Sequence, residues 1–195
     1  MDETLLSAEN EANMTKATEA SLYYENEQTK SKDKKTLIIS AICQNLKEII
    51  RDNRNFESLV SKDLFYLKTI PDISLSDYIK RLVKHTNMNI STLINAIIYI
   101  DNLCENFKYI LCMNNVYFLL LSSCLLSIKF NEDIPVNLKT YSQIAGVSVD
   151  KLKKLESCLY FSLNFGLFVK EDLYQEYFDY FSNYEFQNSK KGKEL

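Results

Sequence analysis

Glycine, proline, tryptophan and histidine are scarce in this sequence, and their scarcity narrows the fold classes it can adopt. The 195 residues include 3 glycines, 2 prolines, 1 histidine and no tryptophan. Folds built from many short strands need frequent turns, and glycine and proline supply most turn positions. The composition therefore favours long helices, and Gly146, Gly166, Pro71 and Pro135 become candidate points where helices end or break.

The residues that an enzyme of its own would need are sparse as well. His85 is the single histidine, no glycine-rich phosphate loop is present, and Glu132 and Asp133 have no His or Cys neighbour. Nucleophilic catalysis needs a base beside the nucleophile, and zinc needs a closely spaced ligand set. We therefore expect no catalytic residues, no metal and no cofactor. His85 is interpreted as a partly buried helix residue rather than a general base.

The charge balance limits the partners. A total of 23 Lys and Arg against 26 Asp and Glu gives a net charge of -3, which does not attract phosphate backbones or anionic membranes. The most apolar stretch, Val116 to Ile128, is interrupted by Ser122 and Ser123 and is too short for a bilayer span. We expect a protein partner, with no nucleic acid and no membrane.

The cysteines and the first residues bear on the compartment. The cysteine number is odd, no Cys-x-x-Cys pair occurs, and most lie among apolar helical residues, as reduced core thiols do: Cys43, Cys104, Cys112, Cys124 and Cys158. The N-terminal segment MDETLLSAENEANMTKATEA is too acidic and polar for a targeting peptide. The sequence therefore predicts a cytoplasmic or nuclear protein. The basic runs near residues 32–35 and 190–193 are interpreted as solvated tails rather than import signals.

Apolar periodicity divides the chain into four parts. Residues 1–35 are polar and are expected to form a disordered tail. Residues 36–70 are predicted to form an N-terminal helix and a connector. Five short helices are predicted within residues 71–168, and residues 169–195 are predicted to form an amphipathic helix followed by a polar tail.

Capping signals mark the ends of the five short helices. The candidate N-caps are Ser74 or Ser76, Asn89 or Ser91, Asn114 or Asn115, and Ser148. Gly146 is predicted to end the fourth helix, and the fifth is predicted to end near Gly166. The third helix is apolar on nearly every side, which predicts a central, buried position.

Three charges interrupt the apolar stripes of these helices. Asp101, Lys129 and Glu156 each follow leucines or isoleucines at helical spacing. An unpaired charge in such a stripe is costly. Each charge is therefore either paired within the fold or part of an interface, and three of them together favour an interface.

The order of these segments resembles the cyclin box, and within the cyclins the single-box Pho80-like group, also called P-type or U-type. The similarity covers roughly Ile73 to Leu167. It is carried by DYIKRLVKHTN, LINAIIYIDNLCE, LLLSSCLLSIKFNED, YSQIAGVSVDKLKKLE and SLNFGLFV. The resemblance implies an all-α fold, with a single five-helix cyclin box flanked by N-terminal and C-terminal helices.

The resemblance also implies roles for particular residues. Cyclin boxes pair an Arg of the first helix with an Asp of the second, and the matching residues are Arg81 and Asp101. A Lys and a Glu that contact the αC helix of the kinase match Lys129 and Glu156. The neighbours that would add apolar contact are Phe130, Leu126, Leu159 and Tyr160. The sequence departs from mitotic cyclins at their Met-Arg-Ala-Ile-Leu docking segment, which here reads KRLVK.

The function implied by the resemblance is regulatory. The chain would bind and activate a cyclin-dependent serine/threonine kinase, Pho85-like or related, and would not itself be an enzyme. The alternative is a helical adaptor or scaffold with a cyclin-like fold and no kinase-activating role. Activation of a bound kinase distinguishes the two.

Overall fold

The structure is a computed structural model that describes residues 32–60 and 62–184. All of the regular secondary structure in these residues is helical, which confirms the predicted all-α fold. The elements are α1 (residues 32–52), a 3-10 helix (Asn53–Leu59), α2 (Leu75–Thr86), α3 (Ile90–Phe107), α4 (Val116–Asn131), α5 (Leu138–Ala145), α6 (Val149–Ser162) and α7 (Glu171–Ser182). Helices α2 to α6 are the five predicted short helices.

The chain divides into two compact units, Met1–Leu37 and Ile38–Leu195. In the first unit the described residues 32–37 are helical, although residues 32–35 were predicted to belong to the tail. There the Thr36 hydroxyl donates a hydrogen bond to Lys32 O at 3.0 Å. The rest of the predicted N-terminal tail, and residues 185–195 of the C-terminal one, lie outside the described residues.

The core of the second unit is built around α4. This helix packs against α3 on one side and α6 on another. Its residues Leu119, Leu121 and Leu125 have no exposed surface. A helix that is apolar on all sides is stable only when every side is covered by other elements. The prediction of a buried central helix is confirmed.

Buried polar groups tie the neighbouring elements to this core. Ser127 Oγ of α4 donates to Thr92 O of α3 at 2.7 Å, and the Tyr141 hydroxyl of α5 donates to Leu121 O at 3.0 Å. The Tyr99 hydroxyl donates to Leu167 O at 2.8 Å. A buried hydroxyl without a partner would be costly, so these bonds fix the register of α3, α4 and α5 and hold the segment after α6 against α3.

Several helix ends lie where the sequence predicts them. Ser74 Oγ accepts a hydrogen bond from Asp77 N, and Ser148 Oγ accepts one from Lys151 N, both at 3.1 Å. Gly146 follows α5 with a φ of 69°, in the left-handed region that glycine adopts without strain. These signals are local, and the structure confirms them.

Two other predicted ends differ. Helix α6 ends at Ser162, ahead of Gly166, and Asn164 and Phe165 have the positive φ values of 50° and 63°. Asn115 is the N-cap residue of α4, as predicted, but its side chain makes no capping hydrogen bond, because its Oδ1 accepts from Cys112 N at 2.9 Å.

The structure also bears on His85, on the cysteines and on membrane-spanning helices. His85 is exposed in the last turn of α2 and not partly buried as predicted. All five cysteines are free thiols. Among the described helices, none has the length and apolar character that crossing a membrane would require.

Candidate functional site

Two of the predicted site residues meet at the surface. Lys129 lies in the last turn of α4, and its Nζ is 2.5 Å from Oε1 of Glu156 on α6. The Lys129 side chain is 36% exposed and that of Glu156 17%. A lysine near a helix C-terminus is also favoured by the partial negative charge of the last carbonyl groups. The structure thus places an accessible ion pair across α4 and α6.

The pair leaves hydrogen-bonding capacity for a partner. An ammonium group has three N–H donors and a carboxylate two acceptor oxygens, and the contact between Lys129 and Glu156 uses only part of each set. A chain that approaches this surface can therefore receive donors from Lys129 and acceptors from Glu156. The arrangement suits a partner that presents both carbonyl and N–H or hydroxyl groups.

Exposed aromatic side chains accompany the ion pair. Phe130 follows Lys129 directly and is 53% exposed, and Phe161 and Phe165 are 64% and 54% exposed. The Phe165 ring packs edge-on against Tyr160 at 4.9 Å and against Phe161 at 5.3 Å between centroids. Exposed apolar surface of this extent typically marks an interaction site. We call the following six residues the α4–α6 surface: Lys129, Phe130, Glu156, Tyr160, Phe161 and Phe165.

The position of Phe165 depends on an uncommon backbone conformation. Its φ of 63° lies in the left-handed region, which bulky side chains rarely adopt. Such a conformation costs free energy and persists only where neighbouring contacts compensate. The edge-on contacts with Tyr160 and Phe161 supply that compensation. The sequence does not reveal this residue as part of a site, because a Phe beside Gly166 has no distinctive pattern.

Two residues predicted to contact a partner are in the core instead. Leu126 is 5% exposed and Leu159 has no exposed surface. Both are in the inward stripes of α4 and α6, where they pack within the hydrophobic core. Their assignment to the contact surface is therefore wrong. The predicted neighbours Phe130 and Tyr160 keep accessible surface.

The predicted ion pair between Arg81 and Asp101 is also wrong. Arg81 is exposed on α2, and its Nε donates to Ile144 O of α5 at 2.9 Å. Asp101 of α3 instead accepts a hydrogen bond from the Tyr177 hydroxyl of α7. The cause is the packing, since α2 lies against α5 while this part of α3 lies against α7. Each group finds a partner on a different neighbour.

Glu132, a carboxylate just after α4 for which the sequence predicts no role, caps the start of α3. Glu132 accepts hydrogen bonds from Asn89 N at 3.0 Å, from Asn89 Nδ2 at 2.7 Å and from Thr92 Oγ1 at 2.5 Å. It therefore caps the first turn of α3, where a negative charge is favoured, in place of an Asn89 side-chain cap. No local sequence signal indicates this contact, because Asn89 and Thr92 each lie forty or more residues before Glu132 in the chain.

The described residues offer no site for a metal ion. No group of three or more His, Cys, Asp or Glu side chains comes together in them.

Comparison with known proteins identifies the class. The cyclin family model matches residues 4–167, which is well over half of the chain. The protein therefore belongs to the cyclin family, whose members are regulatory proteins. The match begins far closer to the N-terminus than the Ile73 at which the resemblance was placed.

The individual relatives narrow the class to one branch. Cyclin-U2-1 of Arabidopsis thaliana is 24% identical over 143 residues, which cover 73% of this chain and 64% of the relative. Cyclin-U4-1 of the same plant is 29% identical over 119 residues, covering 60% and 58%. PHO85 cyclin-like protein psl1 of Schizosaccharomyces pombe is 24% identical over 127 residues, covering 64% and 52%. The resemblance to the Pho80-like group is confirmed, and the chain spans roughly half to two thirds of the length of these relatives.

Proposed function

We propose that this cyclin binds and activates a cyclin-dependent serine/threonine kinase through the α4–α6 surface. The observation that carries the proposal is the accessible ion pair between Lys129 and Glu156, on helices that also carry the exposed rings of Phe130 and Phe161. These are the two positions at which the cyclin resemblance implies contact with the αC helix of a kinase. The cyclin itself would contribute no phosphotransfer residue.

The chemistry of the surface suits a helix docking from outside. The Lys129 ammonium would donate to carbonyl or carboxylate oxygens of the kinase, and Glu156 would accept from its N–H or hydroxyl groups. The kinase αC helix would then be held inward, which keeps its Glu paired with the catalytic Lys. Activation follows because that pair positions the nucleotide phosphates for transfer.

The aromatic residues would supply most of the affinity. Phe161 and Phe165 expose more than half of their surface in the free cyclin. Aromatic side chains that become buried at the centre of an interface commonly dominate its binding energy, whereas charged groups at the rim mainly set orientation and specificity. We therefore assign anchoring to the two phenylalanines and alignment to the ion pair.

The class of kinase is suggested by one relative. The fission-yeast relative carries the name PHO85 cyclin-like protein, and it is 24% identical to this chain over 127 residues. A Pho85-type kinase is therefore the first partner to test. The protein would be located where such a kinase is found, in the cytoplasm, the nucleus or both.

The test exploits the fact that Lys129 and Glu156 contact each other. The double variant Lys129→Glu with Glu156→Lys retains an ion pair within the cyclin but reverses the charges that a kinase meets. We expect wild-type cyclin to bind a purified Pho85-type kinase and raise its activity on a peptide substrate, and we expect the double variant to lose both while keeping its helicity by circular dichroism.

A matched control is available on α1. Arg51 Nε lies 3.2 Å from Asp52 Oδ1, and both side chains are exposed, so Arg51→Asp with Asp52→Arg is a charge exchange on another part of the surface. This variant should bind and activate like the wild type. Equal binding by the Lys129 and Glu156 exchange would refute the contact assignment. Binding without activation would refute the activating role and favour the adaptor alternative.

A further inference from the structure

A second concave surface lies on other elements of the second unit. An open cavity of about 330 Å³ is lined mainly by residues of α1, α3 and α7. Apolar side chains from all three helices form its walls, among them Ile49, Ile97 and Phe181. None of its lining residues belongs to the α4–α6 surface or to α2. We call it the α3–α7 groove.

The charged residues that line this groove are acidic. Asp101 of α3 and Glu176 of α7 face it, and no Lys, Arg or His is among its lining residues. Asp101 accepts the Tyr177 hydroxyl at Oδ2, and no described residue donates to its Oδ1. One oxygen of a half-buried carboxylate thus remains available as an acceptor.

Several negatively charged groups act on Tyr177. Burial raises the pKa of Tyr177, and the hydrogen bond to Asp101 and the negative charges of Asp101, Glu105 and Glu176 raise it further. Because these interactions all act in one direction, Tyr177 remains a neutral hydrogen-bond donor at neutral pH.

The acidic character continues along the exposed side of α7. Its sequence EDLYQEYFDYFS contains four acidic residues and no basic one. Glu171, Asp172, Glu176 and Asp179 are all exposed. In the described part of the chain, ion pairs join Arg51 with Asp52 and Lys129 with Glu156, and neither involves an acidic residue of α7. The groove therefore combines an apolar floor with a negative rim formed by Asp101 and Glu176.

We propose that the α3–α7 groove docks a basic amphipathic segment of a partner protein. An apolar side chain of that segment enters the cavity, and an adjacent Lys or Arg pairs with Asp101 and Glu176. Charge complementarity selects this occupant, because an acidic segment is repelled by the rim and a purely polar one leaves the apolar walls exposed to water. The inference concerns the free cyclin and does not depend on kinase binding.

The test measures binding of fluorescein-labelled synthetic peptides to the full chain by anisotropy. One peptide repeats Lys-Leu-Leu-Lys, a second replaces every Lys by Glu, and a third replaces every Leu by Ser. We expect the first to bind, with an affinity that falls as salt increases, and the other two to bind at least about tenfold more weakly. Equal binding of the Lys-Ser peptide would mean that charge alone attracts the probe, and would overturn the proposal.

Matched variants locate the contact. Asp101→Asn with Glu176→Gln removes two charges from the groove, while the new Asn can still accept the hydrogen bond from Tyr177. This double variant should bind the Lys-Leu peptide about tenfold more weakly. Glu171→Gln with Asp172→Asn removes the same charge from α7 outside the lining residues and should change the affinity less than about twofold. Equal losses in both pairs would overturn the proposal.

A third variant and two competing occupants complete the test. Ile49→Phe narrows the cavity without changing charge and should also weaken binding of the Lys-Leu peptide. An unchanged affinity would show that the cavity does not receive the peptide and would overturn the proposal. Displacement of the peptide by equimolar n-hexylamine would identify a small organic cation as the occupant. Self-association of the wild type in sedimentation, lost in Asp101→Asn with Glu176→Gln, would identify a second copy. Either result overturns the proposal of a partner segment.

Discussion

Glu156 and Asp101 are both carboxylates set in apolar helix stripes, and yet their surroundings differ in kind. Glu156 is neutralised by Lys129 on a surface with exposed phenylalanines. Asp101 is held by the neutral Tyr177 hydroxyl beside an apolar cavity with acidic neighbours. A carboxylate in an apolar stripe therefore does not define one kind of site, because its electrostatics depend on which element packs against it.

The difference separates the partners that the two surfaces suit. The α4–α6 surface carries balanced charge and protruding rings, which suits a broad contact that buries aromatic side chains. The α3–α7 groove is concave and negative, which suits a single apolar side chain next to a positive one.

The largest effect is expected from Phe165. In Phe165→Asn the new residue tolerates the left-handed backbone, so the fold should be kept while an exposed ring is lost. Removing an aromatic anchor from an interface centre costs roughly 2 to 4 kcal/mol. Kinase affinity measured by calorimetry should fall about 30-fold or more.

The same variant should leave the groove intact. The Lys-Leu peptide should bind Phe165→Asn as it binds the wild type, because Phe165 does not line the groove. An unaltered kinase affinity would remove Phe165 from the interface, and a loss of both activities would point to misfolding.

A third carboxylate, Glu132, is expected to be purely structural. Glu132→Ala removes the acceptor for Asn89 N–H and for the buried Thr92 hydroxyl, which should lower the free energy of unfolding by about 2 kcal/mol in urea. The control is Asp133→Ala, which removes an exposed neighbouring carboxylate and should change stability by less than about 0.5 kcal/mol. Equal stability of the two variants would contradict the capping role.

Arg81→Ala should have a small effect. Breaking a buried ion pair costs about 3 to 5 kcal/mol, because a charge is left without a partner. Arg81 instead donates from an exposed position to Ile144 O, and its loss should cost about 1 kcal/mol or less in the same urea experiment. A loss of several kcal/mol would restore the ion pair with Asp101 that the resemblance implied.

The smallest effect is confined to alkaline solution. The pKa of Tyr177 is raised in the folded state, so its contribution to stability is fully present below the usual tyrosine pKa of 10.0 and is lost as pH rises above it towards the folded-state pKa. Tyr177→Phe cannot ionise and should lose less stability than the wild type between about pH 9 and 11. Equal losses in urea titrations would indicate that Tyr177 titrates normally.

Local signals account for the parts of the fold that were predicted correctly. The caps Ser74 and Ser148 and the stop at Gly146 act within three or four residues, and the all-round apolar pattern of α4 requires burial whatever its neighbours are. The nearby ends that were missed involve competition. The Asn115 side chain accepts a hydrogen bond from Cys112 N instead of from the first turn of α4. Phe165 adopts a left-handed backbone conformation whose free-energy cost is offset by its contact with Tyr160.

The site was predictable only in part. Lys129 and Glu156 were identified by position, and the structure brings them together. Leu126 and Leu159 were assigned to the same surface because they are adjacent in the helices, but the helical repeat turns them inward. No sequence pattern indicates that Phe161 and Phe165 are exposed, because the exposure of an aromatic side chain depends on which other parts of the chain cover it.

The linear sequence was enough to predict the helices, the caps at Ser74 and Ser148, the central place of α4 and the cyclin family. Periodicity and capping are short-range properties that a linear pattern contains. Three contacts follow from the packing of the helices: Lys129 pairs with Glu156, Glu132 caps α3, and Asp101 accepts a hydrogen bond from Tyr177. These contacts join residues far apart in the chain, and a charged group takes whichever partner the packed helices bring within hydrogen-bonding distance.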